Sequence, residues 1–240
     1  MTKDQIKSYK SPQLTAEAFG DYLVEKAREK NDQFHVALSG GSTPKILFDY
    51  LVKNYKDDPI WSEMHFYWGD ERCVPPTDDD SNFKMTKERL FDHLEIDEAQ
   101  IHRVFGEDDP SEEAERYSSE LVEFMPTKKG IPIFDLIILG MGEDGHTASI
   151  FPHQIELLES DKVCDVATHP ISGQLRVTLT GHVINAAEEV VFLVTGAGKQ
   201  PKIFEIFHRS GEWHGYPAAH ISPLSGKLLW FVDEAAVAGV

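Results

Sequence analysis

One short run constrains this chain more than any other: Phe134 to Leu139, Phe-Asp-Leu-Ile-Ile-Leu, lying between Pro132 and Gly140. It is too short for a helix and too continuously apolar for a strand wetted on one side. It therefore reads as a strand covered on both faces, the kind found in parallel sheets clothed by helices. Phe34 to Leu38, Met64 to Trp68, Val190 to Thr195 and Leu228 to Val232 read in the same way. Between them apolar residues fall at helical spacing. Leu14 to Lys30 presents Leu14, Ala18, Tyr22, Leu23 and Ala27, and Ser111 to Phe124 presents Ala114, Tyr117, Leu121 and Phe124. Lys45 to Lys53 presents Ile46, Leu47, Tyr50 and Leu51. Strands alternating with helices predict an α/β fold, a layered and mainly parallel sheet flanked by helices. With 240 residues, no internal repeat and no linker, a single domain over residues 1–240 is expected.

Open parallel sheets place their sites at the carboxyl ends of strands, so the loops that leave these runs carry the functional reading. The central strand empties into Gly140-Met141-Gly142-Glu143-Asp144-Gly145-His146. Histidine is the one side chain that exchanges a proton near neutral pH unaided, so His146 is the candidate general base. The loop also spells G-x-G-x-x-G, but Glu143 and Asp144 inside it would repel a pyrophosphate, and a dinucleotide site is not expected. Phe34–Leu38 ends in Ser39-Gly40-Gly41-Ser42-Thr43-Pro44, with Ser42 or Thr43 as a helix cap and Pro44 as the first helical residue. Strand, glycines, hydroxyls and helix aim backbone N–H groups at an anion such as phosphate. Met64–Trp68 ends in Gly69-Asp70-Glu71-Arg72, and Val190–Thr195 ends in Gly196-Ala197-Gly198-Lys199. Gln174 to Thr180 alternates as a strand and carries Arg176; Asp80 or Ser81 caps a helix from Asn82 to about His93. If these loops converge, Arg72, Arg176 and Lys199 form an anion clamp beside one histidine flanked by acids. That combination suits chemistry on a sugar phosphate.

Composition narrows the partners. A net charge of −18 argues against nucleic acid and anionic membrane, since both require a basic surface. No apolar run is long enough to span a bilayer, and the first ten residues lack a secretory apolar stretch. Two cysteines, Cys73 and Cys164, are too few for a disulfide framework. A cytoplasmic protein is expected, as a monomer or a weak homo-oligomer. Asp70, Glu71 and His146 together suggest a metal site, but no ligand spacing supports one, so neither metal nor cofactor is expected.

Taken in order, S-G-G-S-T-P from Ser39, G-D-E-R-x-V-P from Gly69 with D-S-N from Asp80, and L-G-M-G-x-D-G-H-T-A-S-I-F-P from Leu139 form a series. R-V-T from Arg176, V-T-G-x-G-K from Val194 and P-A-x-x-I-S-P from Pro217 continue it. The series resembles the 6-phosphogluconolactonases from about Ser39 to Asp233, with only Ile150 standing where leucine is commoner. The resemblance implies a Rossmann-like fold of the sugar-phosphate isomerase type. It also implies hydrolysis of 6-phospho-D-glucono-1,5-lactone, a small phosphosugar lactone, to 6-phosphogluconate, the second step of the oxidative pentose phosphate pathway, without a cofactor. The family's catalytic histidine falls on His146. Its anion-binding positions fall on Ser39, Gly40, Gly41, Ser42, Thr43, Arg72 and Lys199, with Arg176 beside them.

The residues state a chemistry of their own. A δ-lactone is an activated ester, so a water deprotonated by His146 can attack it directly. Asp144, or Asp70 across the cleft, would orient the imidazole. N–H groups of the glycine loop, Gly142 among them, would meet the developing oxyanion. Ser149, three residues after His146, fits a helix start better than a Ser–His relay. Two rivals are set aside. Glucosamine 6-phosphate deaminases are similar up to the histidine but carry a glutamate where this chain has Phe151. A sugar-phosphate sensor would append a DNA-binding helix-turn-helix, which the acidic N-terminal segment does not show.

Overall fold

The computed structural model describes residues 1–30 and 32–240. In chain order the elements are β1 (Ile6–Tyr9), α1 (Pro12–Glu29), β2 (Phe34–Leu38), α2 (Ser42–Tyr55), β3 (Met64–Trp68), β4 (Asp70–Arg72), α3 (Asn82–Arg89) and α4 (Pro110–Phe124). They continue with β5 (Thr127–Lys128), β6 (Ile131–Pro132), β7 (Leu136–Leu139), β8 (Cys164–Thr168), β9 (Leu175–Leu179), α5 (Gly181–Ala186), β10 (Val190–Val194), α6 (Gln200–His208) and β11 (Leu228–Asp233). A six-stranded sheet in the order β1-β11-β10-β7-β2-β3 is parallel throughout. No helix among the described residues is long and apolar enough to cross a membrane.

The continuous apolar runs are explained by two cores, one on each face of this sheet. Val36, Leu38, Leu136, Ile138, Val191 and Leu193 point to the face covered by α1 and α2. Their alternates, Ala37, Ile137, Leu139, Val190, Phe192 and Val194, point to a second core that also takes in α4, α5 and α6. Side chains alternate along a strand, so covering both faces demands an apolar residue at every position. Within α2 the buried stripe is Thr43, Pro44, Leu47, Phe48 and Leu51. Phe48 thus takes the place expected for Ile46 and Tyr50, which are only half-buried. Phe124, expected to face in from α4, is 52% exposed because the helix ends there and its last turn has left the core.

Two features position the site. β2 leads to β3 on one side while β7 leads on to β10 and β11 on the other, so the chain reverses its direction of travel between β2 and β7. A crevice opens at such a switch, outside the carboxyl ends of the strands. The second feature is a small antiparallel sheet, β4-β9-β8, beside that crevice. Asp70 to Arg72, expected as part of a loop, is its edge strand, with Arg72 directly opposite Arg176.

A column of histidines runs along the inner side of β2 and β3. His35 Nδ1 lies 3.1 Å from the Tyr67 hydroxyl, His65 Nδ1 lies 3.1 Å from His102 Nε2, and His102 Nδ1 lies 3.0 Å from Glu120 Oε1. Burial pushes His35 down to about 4, with the Asp135 charge acting against it and His65, Lys30 and His102 acting with it. Burial also lowers His65. In the unfolded chain such a histidine titrates near 6.5, so the native state binds fewer protons below that pH. Stability is therefore expected to fall between about pH 6.5 and 4, by on the order of 3 kcal/mol from His35 alone. Urea midpoints measured across this window check it. A slope as steep in His35→Asn as in the wild type would show that other groups carry the effect.

Candidate active site

The loops leaving β2, β7 and β10 meet the β4–β9 edge around one cleft of about 220 Å³. That is small beside drug-sized pockets of about 300–1,000 Å³ and suits a single small metabolite. Ser39, Gly40, Gly41, Asp70, Arg72, Gly142, His146, Arg176 and Lys199 all line it. Ser42 and Thr43 do not. Both stand within the first turn of α2, and Gly41, at φ 116°, is the capping residue instead. The Thr43 hydroxyl is bonded to Thr195 Oγ1 at 2.8 Å, away from the cleft. What this segment offers an anion is therefore the unpaired N–H groups at the helix start.

The loop after β7 is built to hold one ring. His146 Nδ1 lies 2.6 Å from Asp144 Oδ1, and the same oxygen accepts the His146 N–H at 3.1 Å. Beside a carboxylate Nδ1 carries the proton, which leaves the lone pair on Nε2. Burial opposes ionisation of Asp144, but the hydrogen bond and charge of His146 outweigh it and hold the carboxyl at about 2. The imidazole packs on the fully buried Phe151 ring, 4.6 Å between centroids. Gly142, expected to offer its N–H to an oxyanion, has that donor committed to the His146 carbonyl at 2.9 Å, and the Gly145 N–H is bonded to the Gly142 carbonyl. Three of the loop's amides, those of Gly142, Gly145 and His146, are spent on its own shape.

Asp70 is not the partner of His146. Its Oδ2 accepts the Ser149 hydroxyl at 2.6 Å and lies 3.9 Å from Arg176 Nη1. Glu71 faces away from the cleft: it is buried and accepts three backbone N–H groups, from Arg72, Asn82 and Phe83, each at 2.8 Å, together with the Ser81 hydroxyl at 3.1 Å. Burial still raises its carboxyl above the usual range. Asp70, Glu71 and His146 thus form no ligand set, and no group of three such residues among those described is arranged to hold a metal ion. Burial, followed by Glu71, pushes the Cys73 thiol up to about 11, so it is no thiolate at neutral pH.

Three cations face the cleft. Arg72 Nη1 donates to the Asp80 carbonyl at 2.6 Å, and Arg176 reaches Ser149 Oγ and Gln174 Oε1 at 3.4 Å each. Nε of both arginines is buried without a hydrogen-bond partner among the described residues. Like charges opposite one another across a strand pair are unfavourable, and burial compounds it. Burial holds the Arg176 guanidinium below its usual range, Asp70 acting against this and Arg72 with it. An anion between the two arginines would relieve both costs. Lys199 enters from the start of α6, without an ion pair among the described residues.

Asn82 was not foreseen as a cleft residue. Its Nδ2 donates to the Asp70 carbonyl at 2.9 Å, and its Oδ1 occupies the space a side chain at Gly40 would need. The Asp80-Ser81-Asn82 motif was legible, but its packing against Gly40 depends on a fold that brings distant segments together.

The family described as glucosamine-6-phosphate isomerases/6-phosphogluconolactonase matches residues 10–230. The chain belongs to that family. Within it, the chain falls with the 6-phosphogluconolactonases, which are hydrolases. The 6-phosphogluconolactonase of Haemophilus influenzae is 44% identical over 208 residues, covering 86% of this chain and 88% of its own. That of Treponema pallidum is 49% identical over 171 residues, 71% of each. A crystal structure of devB protein superposes with a TM-score of 0.92 at 40% identity, covering 97% of both chains. The 6-phosphogluconolactonase resemblance, read from Ser39 onward, thus extends over nearly the whole fold.

Proposed function

We propose that this chain hydrolyses 6-phospho-D-glucono-1,5-lactone to 6-phospho-D-gluconate in the cytoplasm, with His146 Nε2 as the general base. The observation that carries the reading is the Asp144–His146 pair, its free Nε2 turned into a cleft that holds two arginines with unpartnered N–H groups. The phosphate would lie against Arg72, Arg176 and Lys199 and the N–H groups at the start of α2. That places the lactone carbonyl toward His146. A water gives one proton to Nε2 as its oxygen bonds to C1, and the carbonyl becomes an oxyanion. When the oxyanion collapses, the C1–O5 bond breaks and Nε2 returns the proton to O5, so one water is added in all. Asp144 stays ionised throughout. It fixes the tautomer and stabilises the imidazolium between the two proton transfers.

The test is the opening of freshly generated lactone against its uncatalysed rate, with glucosamine 6-phosphate assayed in parallel. Strong acceleration on the lactone and no ammonia from the amino sugar is the expected result. Lactone opening at the background rate would overturn the proposal, and ammonia release would assign the chain to the isomerase side of its family.

A further inference from the structure

Among the described residues Ala148 is one of three non-glycine residues in the left-handed region, at φ 48°, and the only one of them that lines the cleft. Lys129 and Arg209, the others, sit in a turn and at a helix end. An L-residue adopts this conformation only where its surroundings compel it. Here it turns the chain after Thr147 so that Ser149 points inward, fully buried, and not toward His146. Its N–H donates to Thr178 Oγ1 at 3.1 Å. Its hydroxyl donates to Asp70 Oδ2 at 2.6 Å and accepts from Arg176 Nη1 at 3.4 Å.

That hydroxyl closes a gap. Asp70 and Arg176 are 3.9 Å apart at their nearest atoms, beyond direct hydrogen bonding. The other polar side-chain contact of Arg176 is the 3.4 Å one to Gln174, and its face rests over Phe151, 5.6 Å from the ring centroid. We infer that Ser149 is a positioning residue: it links Asp70 to Arg176 and sets the guanidinium where it meets the substrate's phosphate. The inference rests on the functional reading above, which makes the ligand a phosphate ester. It also gives Asp70, which is bonded to Ser149 and not to the imidazole, the task of charge partner to an arginine opposed by Arg72.

Ser149→Ala and Ser149→Thr separate this role from a merely structural one. In the alanine variant KM for the phospholactone and the dissociation constant of inorganic phosphate, measured by calorimetry, are expected to rise together by about tenfold, while kcat stays within about twofold. The threonine variant keeps the hydroxyl and is expected to retain phosphate affinity within about threefold of the wild type. Unchanged phosphate affinity in the alanine variant would overturn the inference. So would a fall in kcat at constant KM, or equal losses in both variants. If the wild type failed to open the lactone at all, the functional reading would fall, and the phosphate titration would still decide the role of Ser149.

Discussion

His146→Ala is expected to lower kcat for lactone opening by about 10²- to 10⁴-fold, the range a positioned general base supplies. KM and the melting temperature are expected to change little. The ring is partly exposed, makes one side-chain hydrogen bond, and rests on Phe151 without filling the core. Steady-state kinetics beside a thermal melt check this, and a variant retaining more than a tenth of wild-type kcat would remove His146 from the chemistry. The pH profile adds a second reading. Asp144 titrates at about 2, so its carboxylate is charged across the working range and cannot be the source of any limb between about pH 5 and 8. With its folded value depressed, the stability Asp144 contributes is fully present above its unfolded value of 3.8 and is lost progressively as pH falls from there through about 2. Asp144→Asn should lower kcat as well, because the amide carries no charge to stabilise the imidazolium formed between the two proton transfers.

Gly142→Ala is expected to cost about 100-fold in kcat with the fold retained, because a displacement of about 1 Å at a reacting group is worth that much. A Cβ at this position would overlap Nδ1 and Cε1 of the imidazole and come within 2.5 Å of Asp144 Oδ1. The ring and its partner would both have to shift. Gly140→Ala is the control two residues away: a Cβ there meets nothing nearer than Ser39 Oγ at 3.6 Å, so near-normal activity is expected. Equal activities in the two variants would show that the loop adjusts freely and does not hold the ring.

Much of this arrangement was legible in the chain because its strands are covered on both faces. Continuous apolar runs mark β2, β3, β7, β10 and β11 without ambiguity, and glycines soon follow all of them but β11. β1 escaped notice because Ile6–Tyr9 alternates with lysine and serine and pairs only with β11 at the sheet's edge. β4 escaped for a different reason. Asp70 to Arg72 carries no strand signal of its own and is extended only because β9, about a hundred residues later, pairs with it. The same distance hid the partner of Asp70, since Ser149 is 79 residues away in the chain. The sequence left Asp144 and Asp70 as alternative partners of His146, because spacing does not say which carboxylate reaches the ring; the structure sets Asp144 against it and Asp70 against Ser149. The hydroxyl of Thr43 looked like a group for an anion, but it is bonded to Thr195 across the sheet's end.

The three cleft cations belong to a chain whose net charge is −18. Under the proposed reaction a phosphorylated lactone enters with only its phosphate charged and leaves with a carboxylate as well. The acidic exterior, felt over about 10 Å at moderate salt, narrows the approach of a substrate anion to the one direction where Arg72, Arg176 and Lys199 outweigh it. The product, with one more negative charge, is drawn by the same three cations at least as strongly as the substrate. Salt, which screens them, is therefore expected to hasten its departure.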